Sequence, residues 1–298
     1  MPTVLDYGYS SNPRIYNCLI TENDAVNGAG VYNDGEKGQC NSEWNNCMIG
    51  FNKATGKGGG VYNMRSSPDF TNCIIRGNSA LGNGGGVYNN SYSTASVIEP
   101  VFINCLIYDN SADRGGGMLN RANGETNPSI INCTLAGNEA NECIYAYGNS
   151  SPTIVNSIIL GGIGDNAGTS TANISYSNIQ NSGGSGEDWN EAFGNDNGNN
   201  IDENPRFIGV LGYQTIPDSS GGFRLYDNSP CINVGANDSI SALYDLEGEP
   251  RIQDGTVDMG VFEGGKPITE KIIYVDSAAT GDQNGTSWTH AYVNLNDA

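Results

Sequence analysis

The sequence predicts an all-β protein in which short strands coil into a parallel β-helix, a single-stranded solenoid. Three observations lead there. The 298 residues include 42 Gly and 16 Tyr, with many Asn and few Leu or Ala, a bias toward strands and turns. A glycine-rich phrase recurs, as NGAGVYN ending at Asn33, KGGGVYN at Asn63, NGGGVYN at Asn89, RGGGMLN at Asn120 and, more loosely, before Asn149. Asn-Cys dipeptides place Cys18, Cys47, Cys73, Cys105 and Cys133 at spacings of 29, 26, 32 and 28, and a sixth copy has Ser157 after Asn156. Self-similarity at such a period marks stacked repeats that bury a continuous core only together.

Each coil can be taken in chain order. Ile15, Trp44, Phe70, Phe102, Ile130 and Ile154 each stand two residues before the recurring Asn. On one straight strand Ile130, Cys133 and Leu135 would not share a face, because side chains alternate. A bend at Asn132 in the left-handed region, which Asn tolerates better than most residues, points all three inward. The next strand carries the cysteine and, two residues on, Ile20, Ile49, Ile75, Ile107, Leu135 or Ile159. Five residues past each cysteine comes Asn23, Asn52, Asn78, Asn110 or Asn138. The glycines then turn a sharp corner with close backbone approach, and VY or ML opens the next inward strand. With coils about 4.8 Å apart, the asparagines stack as ladders whose amides satisfy turn backbone. Stacked cysteines on parallel neighbours have side-by-side Cβ vectors, unsuited to a disulfide, so the five are expected as free thiols in the core. Cys40, Cys143 and Cys231 fall outside this ladder.

Thirteen basic against 33 acidic residues give a net charge of −20, which argues against nucleic acid and anionic membrane surfaces as partners. No apolar run reaches the roughly 18 residues of a membrane helix, so no membrane insertion by this segment is expected. The first residues lack a signal-peptide pattern. Eight cysteines without a CxxC pair do not suggest a zinc ribbon or finger. GFNKATGKGGG misses the phosphate-binding loop by one residue of spacing and puts Gly58 where Ser or Thr should meet magnesium. GGSGED, Gly183 to Asp188, matches one turn of a calcium-binding nonapeptide repeat but stands alone. Asp196, Asp202 and Glu203 in NDNGNNIDEN form a candidate calcium site of hard oxygens; otherwise no cofactor is expected. The single histidine, His290, leaves no basis for a Ser-His-Asp triad or a histidine-ligated metal.

GGGVYN, with ITEN, IGFN, IIRGN and LIYDN, resembles the GGA(I/L/V) and FxxN repeats of polymorphic outer-membrane proteins. It is still more similar to right-handed parallel β-helix repeats of large bacterial surface and secreted proteins. DENPRFIG, FRLYDNSPCINVG and DLEGEPRIQDGTVDMGVFE, within residues 202 to 263, are similar to the segment that closes such helices. The chain departs from the outer-membrane family in having Ile where Phe is preferred, and no autotransporter barrel follows. The resemblance implies a right-handed, pectate-lyase-like helix in an extracellular or cell-surface protein, acting as a non-catalytic stalk or adhesin-like surface. Coils are expected over 1–180, the last coils and closing segment over 181–265, and a linker with the truncated start of a following module over 266–298, making the chain part of a longer modular protein. The alternative is a polysaccharide-active lyase or hydrolase, but the paired Asp, GHG, RxK and RxPxxR elements of such enzymes are missing. An ice-binding solenoid would need rows of TxT, which the strands lack.

A ligand, a polysaccharide or a host or cell-surface molecule, is expected to meet one edge of the helix. The interval from ladder cysteine to closing Asn is 15 or 16 residues, whereas the interval onward to the next ladder position is 14, 10, 16, 13 and 8. Length variation therefore concentrates at one corner, where solenoids often carry binding loops. Glu36, Lys37 and Tyr92, on the two longest loops, are the candidate ligand-binding residues.

Overall fold

The left-handed bend expected at the recurring asparagine occurs in every coil of the computed structural model: φ is 54° at Asn17, 52° at Asn46 and Asn72, 51° at Asn104 and Asn156 and 50° at Asn132. The structure describes residues 10–38, 40–166, 170–208 and 220–265, with 276–281, 289–291 and 293 in a second unit. The two units span 1–266 and 267–298. Most of the linker and module start expected over 266–298 lies outside the described residues.

Strands before the bend stack into an eight-stranded parallel sheet, from Arg14–Tyr16 and Glu43–Asn45 to Asn173–Ser175 and Asn195–Asp196. Strands after it form a second, seven-stranded sheet from Leu19–Thr21 to Asn178–Ile179. A third sheet stacks Val31–Asp34, Val61–Met64, Val87–Asn90, Met118–Thr126, Ile144–Ser150 and Ile163–Asn166. All three surround one core, so the chain is a parallel β-solenoid. Trp44, Phe70 and Phe102 fill it as a stack, with ring centroids 5.9 Å and then 5.1 Å apart and planes within 13°. The ladder cysteines 47, 73, 105 and 133 are buried as free thiols. Cys18 is an exception: it is exposed in the first described coil.

Two further coils lie outside the Asn-Cys repeat because their residues differ. Tyr176 and Asn199 take the bend at φ 48° and 60°, and Ser177 and Asn200 stand in the cysteine position. A chain of hydrogen bonds shows the equivalence: the amide of Cys133 donates to Ser157 Oγ, that of Ser157 to Ser177 Oγ, and that of Ser177 to Asn200 Oδ1, each at 3.1 Å. A second left-handed bend was also hidden, since Glu22, Phe51 and Asp109 share it with Gly77 and Gly137. At the glycine corner no side chain fits: a Cβ on Gly86 would lie 2.6 Å from the carbonyl oxygen of Gly117.

Both asparagine ladders are present. Asn52, Asn78 and Asn110 each donate Nδ2 to Oδ1 of the next rung at 2.9 Å and to the carbonyl of an inward Ile on the preceding coil. Asn33, Asn63 and Asn89 pass Nδ2 to the following Oδ1 at 2.8 Å, ending on Asn120. The next rung is Ala146 and not Asn149, a correction to the register expected there, and it leaves Asn120 Nδ2 buried without an acceptor. Ala146→Asn should supply one and raise stability by about 1 kcal/mol. Urea unfolding against Ala146→Val, which adds volume but no acceptor, checks this; equal effects of the two would refute it.

The outer face of the second sheet is covered by the end of the same unit. Leu106, Tyr108, Ala136 and Ile158 pack there against Phe207, Phe223, Leu225, Met259, Val261 and Phe262. Asn156 fixes the register, donating to the Ala236 carbonyl at 3.0 Å and accepting from the Ala236 amide at 2.7 Å. Within this cover Arg251 is 1% exposed, donates to the Gly260 carbonyl and lies 3.3 Å from Glu263. Cys231, unassigned from sequence, is buried here, and burial pushes its thiol up to about 11; Cys143, in the main core, is pushed up to about 12 for the same reason.

Candidate functional site

Alternation along the third sheet turns a second row of side chains away from the core; Tyr32 is exposed there, whereas Tyr62, Tyr88, Leu119 and Tyr145 are buried against one another. Val31, Val61, Val87, Met118 and Ile144 enter the core, and Asn33, Asn63, Asn89 and Asn120 are buried two residues on. The residues between them, Tyr32, Tyr62, Tyr88, Leu119 and Tyr145, therefore stack on the outer face, rung over rung. Tyr32, Tyr62 and Tyr88 meet edge to face at centroid distances of 4.9 Å. The next outward row is Asp34, Met64, Asn90, Arg121 and Tyr147. Asn90 Nδ2 donates to the Tyr62 hydroxyl at 2.9 Å, and the Arg121 cation acts on the Tyr88 phenol to favour its ionised form. Burial pushes both phenols above their ordinary value, against the pull of these groups.

Three cations lie over the rings. Lys57 Nζ is 5.4 Å from the centroid of Tyr88, Arg114 is 4.9 Å from that of Tyr145 and also donates to its hydroxyl, and Arg121 is 5.9 Å from that of Tyr147. Arg114 and Arg121 flank a cleft of about 330 Å³. Tyr88, Leu119 and Tyr145 line it, with Asn83, Asp113 and Arg114 toward the strand starts and Arg121 and Tyr147 toward their ends. Aromatic surface, fixed guanidinium groups and an amide are the means by which proteins stack sugar rings and hydrogen-bond their substituents. A signal for these residues stood in the repeat itself. The V-Y-N alternation puts Tyr outside, and Lys57, Asn83 and Arg114 occupy the variable letter before the first glycine.

The expected loop edge adjoins the second outward row. Arg65 brings two of its residues together: its guanidinium lies 4.9 Å from the Tyr92 ring centroid and 3.9 Å from Glu36 Oε1. Lys37 is exposed on the same loop as Glu36.

The candidate calcium residues have other partners. Asp196 accepts from Ser185 Oγ, the Gly186 and Gly198 amides and Asn200 Nδ2 at 2.7 to 3.0 Å. Partial desolvation raises its carboxyl, and these donors outweigh that and hold it below the ordinary value. Asp202 accepts from the Asn181 and Gly183 amides, and Glu203 meets Asn178 through its backbone. GGSGED and NDNGNNIDEN, two separate motifs in sequence, are thus hydrogen-bonded to each other. Among the described residues no three His, Cys, Asp or Glu side chains gather around a point that could hold a metal ion.

No family model matches the chain, and no curated protein is significantly similar to it in sequence.

Proposed function

We propose that the solenoid is a non-catalytic module of an extracellular or cell-surface protein, one part of a longer chain, that binds a glycan across its tyrosine-lined face. The observation that carries this is a cleft lined by the exposed Tyr147 and the guanidinium groups of Arg114 and Arg121, with the buried Tyr88 and Tyr145 beneath them. A solenoid rung repeats about every 4.8 Å, so an extended polymer lying along the axis would meet equivalent groups on successive coils. The adjoining edge of Glu36, Lys37 and Tyr92 offers further contacts to a chain that crosses the corner. A polysaccharide-cleaving enzyme is the weaker reading: hydrolysis of a glycosidic bond needs two carboxyl groups, and the cleft holds one, Asp113. Burial pushes the thiols of Cys143 and Cys231 up, so these two keep their protons at neutral pH and are compatible with an oxidising environment.

A glycan array on residues 1–266, followed by titration of the best ligand, tests the proposal. Tyr147→Ala should weaken binding several-fold. Shortening the loops Asp34 to Glu43 and Asn90 to Pro100 should weaken it further if the edge takes part. Absence of binding to every glycan, or release of new reducing ends on incubation, would overturn it.

A further inference from the structure

We propose that the cleft selects glycans bearing an anionic substituent, a carboxylate or a sulfate, through Arg114 and Arg121, with Lys57 alongside over Tyr88. The inference rests on the glycan-binding reading above and adds the ligand's chemical class. The chain has 33 acidic and only 13 basic residues, so carboxylates are available to pair with its cations. Four arginines do, in the pairs Arg14–Glu43, Arg65–Glu36, Arg224–Glu247 and Arg251–Glu263. Among the described residues Lys57, Arg114 and Arg121 reach no carboxylate within 4.0 Å, as is true also of Lys37, Lys53 and Arg206; what sets the three apart is that they lie over tyrosines of the third sheet. A tyrosine ring or hydroxyl holds a guanidinium in place without neutralising it. Each arginine therefore keeps donors and full charge for an outside anion, and its planar fork matches the two oxygens of a carboxylate or sulfate.

The protein's overall charge of −20 repels such a ligand from afar, but at about 0.15 M ionic strength the Debye length is about 8 Å. Remote carboxylates are then screened, while the cleft cations touch the ligand. Asp113, which lines the same cleft, opposes the anion at short range. That gives the proposal a test of either sign.

Isothermal titration at fixed ionic strength would compare an oligouronate with its methyl ester, which keeps the backbone and loses the charge, and a sulfated oligosaccharide with its desulfated form. One charged member should bind about tenfold more tightly than its neutral partner, and the pair that does so identifies the substituent. Arg114→Gln and Arg121→Gln should each remove most of that preference, weakening the charged ligand more than the neutral one, while Asp113→Asn should increase it. Equal binding within both pairs, or a preference untouched by all three substitutions, would overturn the anionic selectivity and leave glycan binding standing. No binding to any of the four would overturn both.

Discussion

Phe70→Ala is expected to lower the unfolding free energy by about 3–5 kcal/mol. The Phe70 ring is fully buried, parallel to Phe102 at 5.1 Å and near-parallel to Trp44 at 5.9 Å, so removing it empties the middle of the core stack. Neighbouring coils cannot close the gap. Their spacing is set by hydrogen bonds such as that from the Asp69 amide to the Ser42 carbonyl at 2.9 Å, together with the Asn52–Asn78–Asn110 ladder. Stability in a solenoid is roughly a sum over repeats and their interfaces. The half-buried Ile15 in the first described coil, truncated to Ala, should therefore cost clearly less. Urea titration followed by circular dichroism would measure both. A loss below about 1 kcal/mol at Phe70 would mean the inward stack is misplaced.

Arg251→Met should cost about 3–5 kcal/mol at pH 8, because it strands Glu263, Asp258 and Asp245, in the segment that covers the second sheet, without their cation. The deficit should shrink toward pH 5. Burial raises the Glu263 carboxyl from 4.5 to about 8, despite the opposing pull of Arg251, and Asp258 is raised by burial too. A carboxyl whose folded value is raised binds a proton that the unfolded chain has already released. Its contribution to stability is thus full below about pH 4.5 and is lost as the pH rises toward 8. In the wild-type protein stability should fall across that window, and Glu263→Gln should flatten the slope. Arg251→Met removes the attraction that eases ionisation, so its cost is largest where the carboxylates must carry charge. Equal deficits at pH 5 and pH 8 would show that Arg251 acts there through packing alone.

The solenoid was legible because its rules are local and repeated. An asparagine that enters the left-handed region, with apolar residues two before it and one and three after it, determines a bend and an inward register, and each coil restates it. The legibility failed where identity drifted while geometry persisted. Tyr176 and Asn199 bend as Asn156 does, and Glu22 and Phe51 occupy the bend that Gly77 also makes, since stacking on a well-formed neighbour can hold an unsuited residue there. It failed too at Ala146, which holds the rung that a nearby Asn149 suggested.

By itself, then, the sequence determined the parallel coils, the core stack, the thiol row and the asparagine ladders, because inward positions obey alternation and recur. Tertiary structure alone decided what the outward positions do. Leu106 and Ile158 are outward yet buried, because Phe207, Phe223, Leu225, Met259, Val261 and Phe262 lie across them; Tyr147 and Arg121, equally outward, line an open cleft. Strand alternation tells in from out. Whether an outward side chain meets solvent, ligand or another part of the chain depends on contacts such as Asn156 with Ala236, eighty residues apart, which no local pattern encodes.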